Sequence, residues 1–468
     1  MKVPLNDGRS VSRVGVSSRR RFIQSGGLLA AATLTGTAVP AGPAVAPWQG
    51  GGNASAEQPA AAPLPNAGGP ILWGAEAAEW RDDPASGARI IQLTSAAAIS
   101  NNVYGEQPYC SPDGKRLVIA RCQDFCFDLE GSLLVHDLST LHTALIARRM
   151  VGVRGVCNAA WSGIVYYWTP QRRLMRLSLA SLAVEEVYRE EDPQAPLPNA
   201  SVSPDQRYVI GLARRLRGPA APTFQIVRLD LARKRRSVIF EHREISNPHL
   251  QFHPVHGKQI LVQHDRGTFL LPDNSLEYRR NVGPGTRLFV LDADGGNQRE
   301  LAAGPPHTAS CTGHECFVSD TGNVAFSAMW TAIDDHHWTQ DPAHPQGNLF
   351  TVAPGDPAPT VFPAPQYLFN HISVSRCGRY FVADAAQGGL FRDGRLQPVC
   401  LVMGNLQTGK HRVLVAEPLC YAGGNQCTHP HPYLTADNGH VIFNANPGFS
   451  IPQVFAARIP QGFLESLT

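Results

Sequence analysis

Past its first forty-odd residues this 468-residue chain has no apolar run of the roughly 20 residues needed to cross a bilayer, so no permanent membrane span is expected. Charge is sparse, at 17% of residues against a usual share of about 25%. No stretch keeps a 3.6-residue apolar period, which argues against a helical bundle or alternating strand–helix units. Walker, dinucleotide-binding and G-x-S-x-G patterns are missing in context, and with them the nucleotide and serine-hydrolase chemistries. The paired acids Glu185/Glu186 and Glu190/Glu191/Asp192 lie in a strand-to-turn region and give no ground for a glycosidase dyad. Ten cysteines include no C-x-x-C pair, so a thiolate zinc site is not expected. Cys122/Cys126, Cys311/Cys316 and Cys420/Cys427 are close enough in sequence to be disulfide candidates if the protein is exported.

Export is what the N-terminus predicts. Ser18-Arg19-Arg20-Arg21-Phe22-Ile23-Gln24 matches the twin-arginine consensus S-R-R-x-F-L-K closely. A mildly apolar stretch from Gly26 to Val39 follows, and Ala44-Val45-Ala46 is an A-x-A cleavage signature. Residues 1–46 therefore read as a signal peptide, residues 47–70 as a flexible Gly/Ala/Pro linker and residues 71–468 as the folded part, soluble in the periplasm or secreted. In the signal, Lys2 and five arginines outnumber Asp7 by five, so the chain's net +3 becomes −2 once it is removed. The basic balance belongs to the signal, and no nucleic-acid partner is expected.

The folded part is rich in Gly, Pro and short Val/Ile/Leu/Phe runs, and a unit recurs in it. A turn of the S-P-D-G type precedes a β-rich run: Ser111-Pro112-Asp113-Gly114 before Leu117-Val118-Ile119-Ala120, and Ser203-Pro204-Asp205 before Tyr208-Val209-Ile210. Copies follow at His253-Pro254, Ser319 to Gly322, Ser375 to Gly378 and Thr435 to Gly439, with a degenerate one at Trp161-Ser162-Gly163. Seven units of about 45 to 60 residues suit four-stranded blades. The expectation is an all-β, seven-bladed propeller with TolB-like blades; two β-sandwiches would not produce so regular a recurrence.

The histidines follow that repeat. His314, His371 and the pair His429/His431 each lie a few residues before a turn, on consecutive units, and His249 extends the set. Equivalent positions converge near a propeller's axis. Gln426-Cys427-Thr428-His429-Pro430-His431-Pro432 puts three potential ligands within six residues. On an extended strand His429 and His431 would share a face. His371, Gln426, His429 and His431 are thus candidate ligands, and N/O donors without thiolate suit Mn²⁺, Zn²⁺, Fe²⁺, Co²⁺ or Ni²⁺. A set without carboxylate leaves the ion fully charged and disposed toward an anionic substrate group. His314 is either a fifth ligand or a general base. His336-His337-Trp338, in the polar stretch Asp334 to Gly347, reads as a surface insertion, and Lys234-Arg235-Arg236 as an exposed turn.

These segments, taken together, resemble the oligogalacturonate lyases, a seven-bladed propeller family of polysaccharide lyases, from about Trp80 to Pro460. Gln426 to Pro432 is similar to that family's Q-x-x-H-P-H-P, and Asn370-His371-Ile372-Ser373 with Gly378 to its S-H-x-x-S…D-G segment. Gly313-His314-Glu315-Cys316-Phe317 is similar to T-H-E-x-W, and Thr286-Arg287-Leu288-Phe289-Val290 to A-R-x-W-x-V. Tyr104-Gly105-Glu106-Gln107-Pro108 with Asp113-Gly114-Lys115 looks like the first-blade entry. The resemblance implies Mn²⁺ held by His371, Gln426, His429 and His431, with His314 as proton-abstracting base and Arg287 beside it. It also implies β-elimination of short, anionic uronate oligomers. The chain departs from the family at Cys316-Phe317, at Asn370 and in the Asp334 to Gly347 insertion. It departs too in its export signal, since these lyases usually act in the cytoplasm. The competing expectation is a periplasmic propeller that binds a sugar or protein without chemistry, which would have no need of His314 and Arg287 beside an intact ligand set.

Overall fold

A strand near the start of the folded region pairs with the last strand of the chain. Arg89–Gln92 runs antiparallel to Gln453–Arg458, with Arg89 opposite Arg458 and Gln92 opposite Phe455. This closes a ring of seven antiparallel sheets, a seven-bladed β-propeller. The computed structural model describes residues 71–468 apart from 123–129, 219, 280–284, 330, 333–337, 340, 388–390, 393–394, 397–398, 419–427 and 448–449. The expected signal and linker, Cys126, Cys420, His336, His337 and the Gln426-Cys427 pair therefore lie outside the described residues.

Blades I to VII begin, at the axis, with Ile99–Asn101, Val156–Ala159, Ser201–Val202, Gln251–Phe252, Cys311–Phe317, Tyr367–Val374 and Tyr433–Leu434. Five are four-stranded; blade I gains an outer strand from Trp73–Ala75, and blade VII takes its two outer strands from Ala78–Asp82 and Arg89–Gln92. All seven turns seen in the sequence are present, but each follows the innermost strand of its blade and leads into the second. The residues before a turn, not those after it, therefore face the axis.

The turn sequence has a local cause. Ser111 Oγ donates to Asp113 Oδ1 (2.5 Å) and accepts the Arg116 N–H (2.9 Å), which satisfies the tight reversal from within. Ser203/Asp205/Tyr208 and Thr435/Asp437/His440 repeat the arrangement. Neighbouring turns also meet along one rim. Ser319 Oγ donates to the Arg376 carbonyl at 2.5 Å, and a Cβ on Gly114 (φ +71°) would stand 2.1 Å from Asp437 Oδ1. Between blades the sheets stack through apolar side chains, for example Ile210 and Phe224 of blade III against Ile260 and Phe289 of blade IV. Each fully buried Phe or Ile contributes about 1.5–3 kcal/mol.

Blades IV, V and VI each insert a two-stranded hairpin between their second and third strands: Thr268–Leu270 with Leu276–Tyr278, Thr331–Ala332 with Trp338–Thr339, and Phe391–Arg392 with Arg395–Leu396. Antiparallel alternation puts these on the rim where the innermost strands start. The second of them includes Trp338–Thr339, within the Asp334 to Gly347 stretch, of which residues 334–337 and 340 lie outside the described residues. Cys311 and Cys316 are not a disulfide: both are free, buried thiols along one strand. Among the described residues no helix is long and apolar enough to cross a membrane.

Candidate metal centre and its histidine neighbour

His314 and His371 lie inside the innermost strands of blades V and VI, and both sit where pairing with the second strand slips. The register shifts between Cys311 and Glu315 in blade V and between Phe369 and Ile372 in blade VI. Such bulges re-aim a side chain and free a backbone N–H. In blade VI Asp384, on the second strand, captures it: Asp384 Oδ1 accepts the His371 N–H at 2.6 Å, and its carboxylate lies 3.0–3.1 Å from His371 Nδ1.

His429 and His431 converge for a different reason than strand alternation. They precede the strand Tyr433–Leu434, and His431 adopts a left-handed backbone (φ 41°) that costs a non-glycine residue about 1 kcal/mol or more. Two asparagines hold this shape. Asn444 Nδ2 donates to the His429 carbonyl (3.1 Å) and Asn102 Nδ2 to the His431 carbonyl (2.7 Å), while the Asn102 N–H is bound to Asn444 Oδ1 (2.9 Å). Gly105 of blade I completes the clamp, because a Cβ there would meet the His431 and Pro432 carbonyl oxygens at 2.8 Å.

The result is one cluster. A ligand atom from each of His371, His429 and His431 lies within 4.8 Å of the others. His371 Nε2 and both ring nitrogens of His429 and His431 are buried with no hydrogen-bond partner among the described residues. Five unsatisfied buried nitrogens, with one from each of three rings gathered at one place, would be costly unless something occupies it. Burial holds all three imidazoles below their ordinary pKa, His371 and His431 well below, so each presents a lone pair at neutral pH. Asp384 orients His371 through Nδ1, the usual support for a ligating imidazole. This donor set fits a divalent cation of the Mn²⁺–Zn²⁺ range.

Beside it stands a second group of different character. The rings of His314 and His371 are 4.0 Å apart. His314 Nδ1 faces the Tyr104 hydroxyl at 3.2 Å and Glu106 Oε1 at 3.5 Å. Glu106 also meets His249 Nδ1 at 3.1 Å and accepts Gln251 Nε2 at 3.1 Å. Burial works against a charge on His249, but the Glu106 carboxylate overrides it and lifts the imidazole to about 9. His314 is driven the other way, well below its ordinary value, by burial and by His371. A protonated His249 and a neutral His314 thus flank one carboxylate. Trp161, Phe252, Pro254, Phe317 and Val374 line a small pocket together with Glu106 and Gln251.

Of the other expected residues, Arg287 is half-buried near the start of blade IV's third strand, opposite His264. Its Nε donates to the Pro305 carbonyl, and its charge is felt at Cys311, three residues before His314; no described contact joins it to His314 itself. Tyr104, Glu106, Asp384, Asn102 and Asn444 had no assigned role in the sequence reading. Asp384 was detectable as the one carboxylate in the buried run Tyr380–Gln387. A separate group, His242, Glu244 and His264, also brings three ligand atoms within 4.8 Å. There His242 Nδ1 already accepts the Glu244 N–H at 3.0 Å, so that ring is partly committed.

No family model matches the chain. In sequence it is similar to the oligogalacturonate lyase of Dickeya dadantii, 22% identical over 409 residues that cover 81% of this chain and 95% of the relative. It is equally similar to the oligogalacturonide lyase of Pectobacterium atrosepticum, 22% identical over 405 residues with the same coverage. In structure it is similar to an oligogalacturonate lyase in complex with manganese (TM-score 0.59, 19% identity, 84% of this chain and 98% of that one). The oligogalacturonate lyase of Vibrio parahaemolyticus gives TM-score 0.59 at 16% identity, with the same shares covered. The resemblance read from the sequence holds, and the propeller fold is common to all of them.

Two expectations follow. Asp384→Asn, which leaves His371 Nδ1 without a carboxylate, should weaken Mn²⁺ binding about 10- to 100-fold by calorimetry; unchanged affinity would remove His371 from the ligand set. In the metal-free protein, the raised pKa of His249 means its stabilising contribution is full below pH ~6.5 and is lost as pH rises through about 9. The gap in denaturation midpoint between wild type and His249→Gln should therefore close between those values, and a pH-independent gap would contradict the ion pair.

Proposed function

We propose that this chain is a divalent-metal-dependent lyase that cleaves short uronate oligomers, oligogalacturonides first among them, by β-elimination. The observation that carries the proposal is the pairing of two unlike histidine groups in one buried mouth. His371, His429 and His431 offer unclaimed ring nitrogens, while His314 next to them is neutral and held through Nδ1. The lyases to which the chain is similar, one of them solved with manganese, support the same reading.

In this reading His371, His429 and His431, with Gln426 as fourth donor, hold the cation. A divalent ion there supplies positive charge to the C6 carboxylate as negative charge builds on it in the transition state. His314 Nε2 removes the C5 proton, which is acidified by that carboxylate. The C5–H pair becomes the C4=C5 double bond, and the C4 oxygen departs with the pair of the broken C4–O bond. Arg287 is the second cationic group on the substrate's carboxylate side, where a guanidinium can bind two oxygens at once. The hairpins of blades IV, V and VI lie on the rim where the innermost strands start and would frame the approach of the oligomer. The twin-arginine segment assigns this chemistry to the periplasm or beyond, on a folded, metal-loaded protein.

The mature protein with Mn²⁺ and trigalacturonate should develop the absorbance of an unsaturated uronide near roughly 235 nm. The signal should disappear on EDTA treatment and return with Mn²⁺. His314→Ala should lower kcat by about 10²–10⁴ while retaining the metal. A folded, metal-loaded protein inert on every uronate oligomer would contradict the assignment and leave a sugar-binding propeller in its place.

A further inference from the structure

Glu106 stands at the entry of blade I, between the histidines of blades IV and V, with His249 Nδ1 and Gln251 Nε2 each 3.1 Å from its carboxylate oxygens. A third donor position on it, His314 Nδ1, is 3.5 Å away, and the same nitrogen lies 3.2 Å from the Tyr104 hydroxyl. These two neighbours make unlike demands on His314. A carboxylate only accepts, so it favours the ring proton on Nδ1. A phenol can donate to a bare Nδ1 or accept from Nδ1–H, so it fits either tautomer. A neutral imidazole has one proton to place, and the carboxylate is the neighbour that admits one placement only.

We propose that Glu106 is a positioning residue that holds His314 in the Nδ1–H tautomer, leaving the Nε2 lone pair to remove the substrate's proton. This rests on the reading of His314 as the base given under Proposed function. The surroundings keep Glu106 fit for the task. Burial opposes its charge, but His249 and His314 together outweigh burial and hold the carboxyl below its ordinary range. Gln251 in turn is anchored at the Glu315 carbonyl (2.6 Å), so the carboxylate is held from two sides. When Nε2 takes the C5 proton the ring becomes imidazolium, with N–H at both nitrogens. Glu106 then faces a full positive charge at a position it already occupies.

Long-range ¹H–¹⁵N spectra of metal-free protein labelled at histidine test the proposal directly, with the His314 signals identified by their loss in His314→Gln. The wild type should show the Nδ1–H tautomer at His314, and Glu106→Gln should populate Nε2–H. Kinetically, Glu106→Gln should lower kcat by about 10²–10³, within the range of general-base contributions, while KM and Mn²⁺ affinity change less than about threefold. Formate should restore part of kcat to Glu106→Ala and none to His314→Ala. An Nε2–H tautomer in the wild type, the same tautomer in both proteins, or Mn²⁺ affinity falling in step with kcat would each overturn it. Should the wild type form no unsaturated product from any uronate oligomer, the functional reading fails, and the tautomer spectra still decide whether Glu106 sets His314.

Discussion

Ring closure is the constraint on which the rest of this structure depends. Arg89–Gln92 pairs with Gln453–Arg458, and the circle so formed compels seven innermost strands to start on one rim around one axis. Histidines far apart in the chain, from His249 to His431, are brought face to face only because of it. The turns on the opposite rim support the closure by meeting in sequence, as at Gly114 against Asp437 and Ser319 against Arg376. His314 and His371 are thus held on bulged, paired strands, while His249, His429 and His431 stand just before their innermost strands and are fixed by hydrogen bonds to their side chains or carbonyls.

Within the rim, charge is divided with some economy. Three imidazoles kept neutral by burial offer lone pairs that nothing among the described residues satisfies. One carboxylate, Asp384, orients His371 from behind. A second, Glu106, lies against both His249 and His314; it lifts His249, while burial and His371 hold His314 well below its ordinary value. The two groups touch through the 4.0 Å contact of His314 with His371, so a base and a cation site lie side by side without sharing a ligand.

Much of this was legible in the sequence, for identifiable reasons. The S-P-D-G turns carry their own hydrogen bonding, so blade number could be counted from them. The histidines could be placed because they keep a fixed distance from those turns. What could not be read was whatever depends on another blade. The convergence of His429 and His431 was expected from strand alternation, yet it comes from a left-handed residue held by Asn444 of the same blade and by Asn102 of blade I, which is distant in sequence from the carbonyl it binds. The slipped pairing at His314 and His371 has no local signature, and neither has the reach of Glu106 across to blades IV and V. The turn that opens each sequence unit proved to close the innermost strand, which explains why the lining residues lie before it.

Diffraction at the manganese absorption edge, on crystals of the Mn²⁺-loaded protein, tests the central claim most directly. The account predicts one strong anomalous peak, about 2.0–2.3 Å from a ring nitrogen of each of His371, His429 and His431, within the usual range of metal–imidazole bonds. A peak at His242, Glu244 and His264 instead, with the three axial histidines bare, would contradict it.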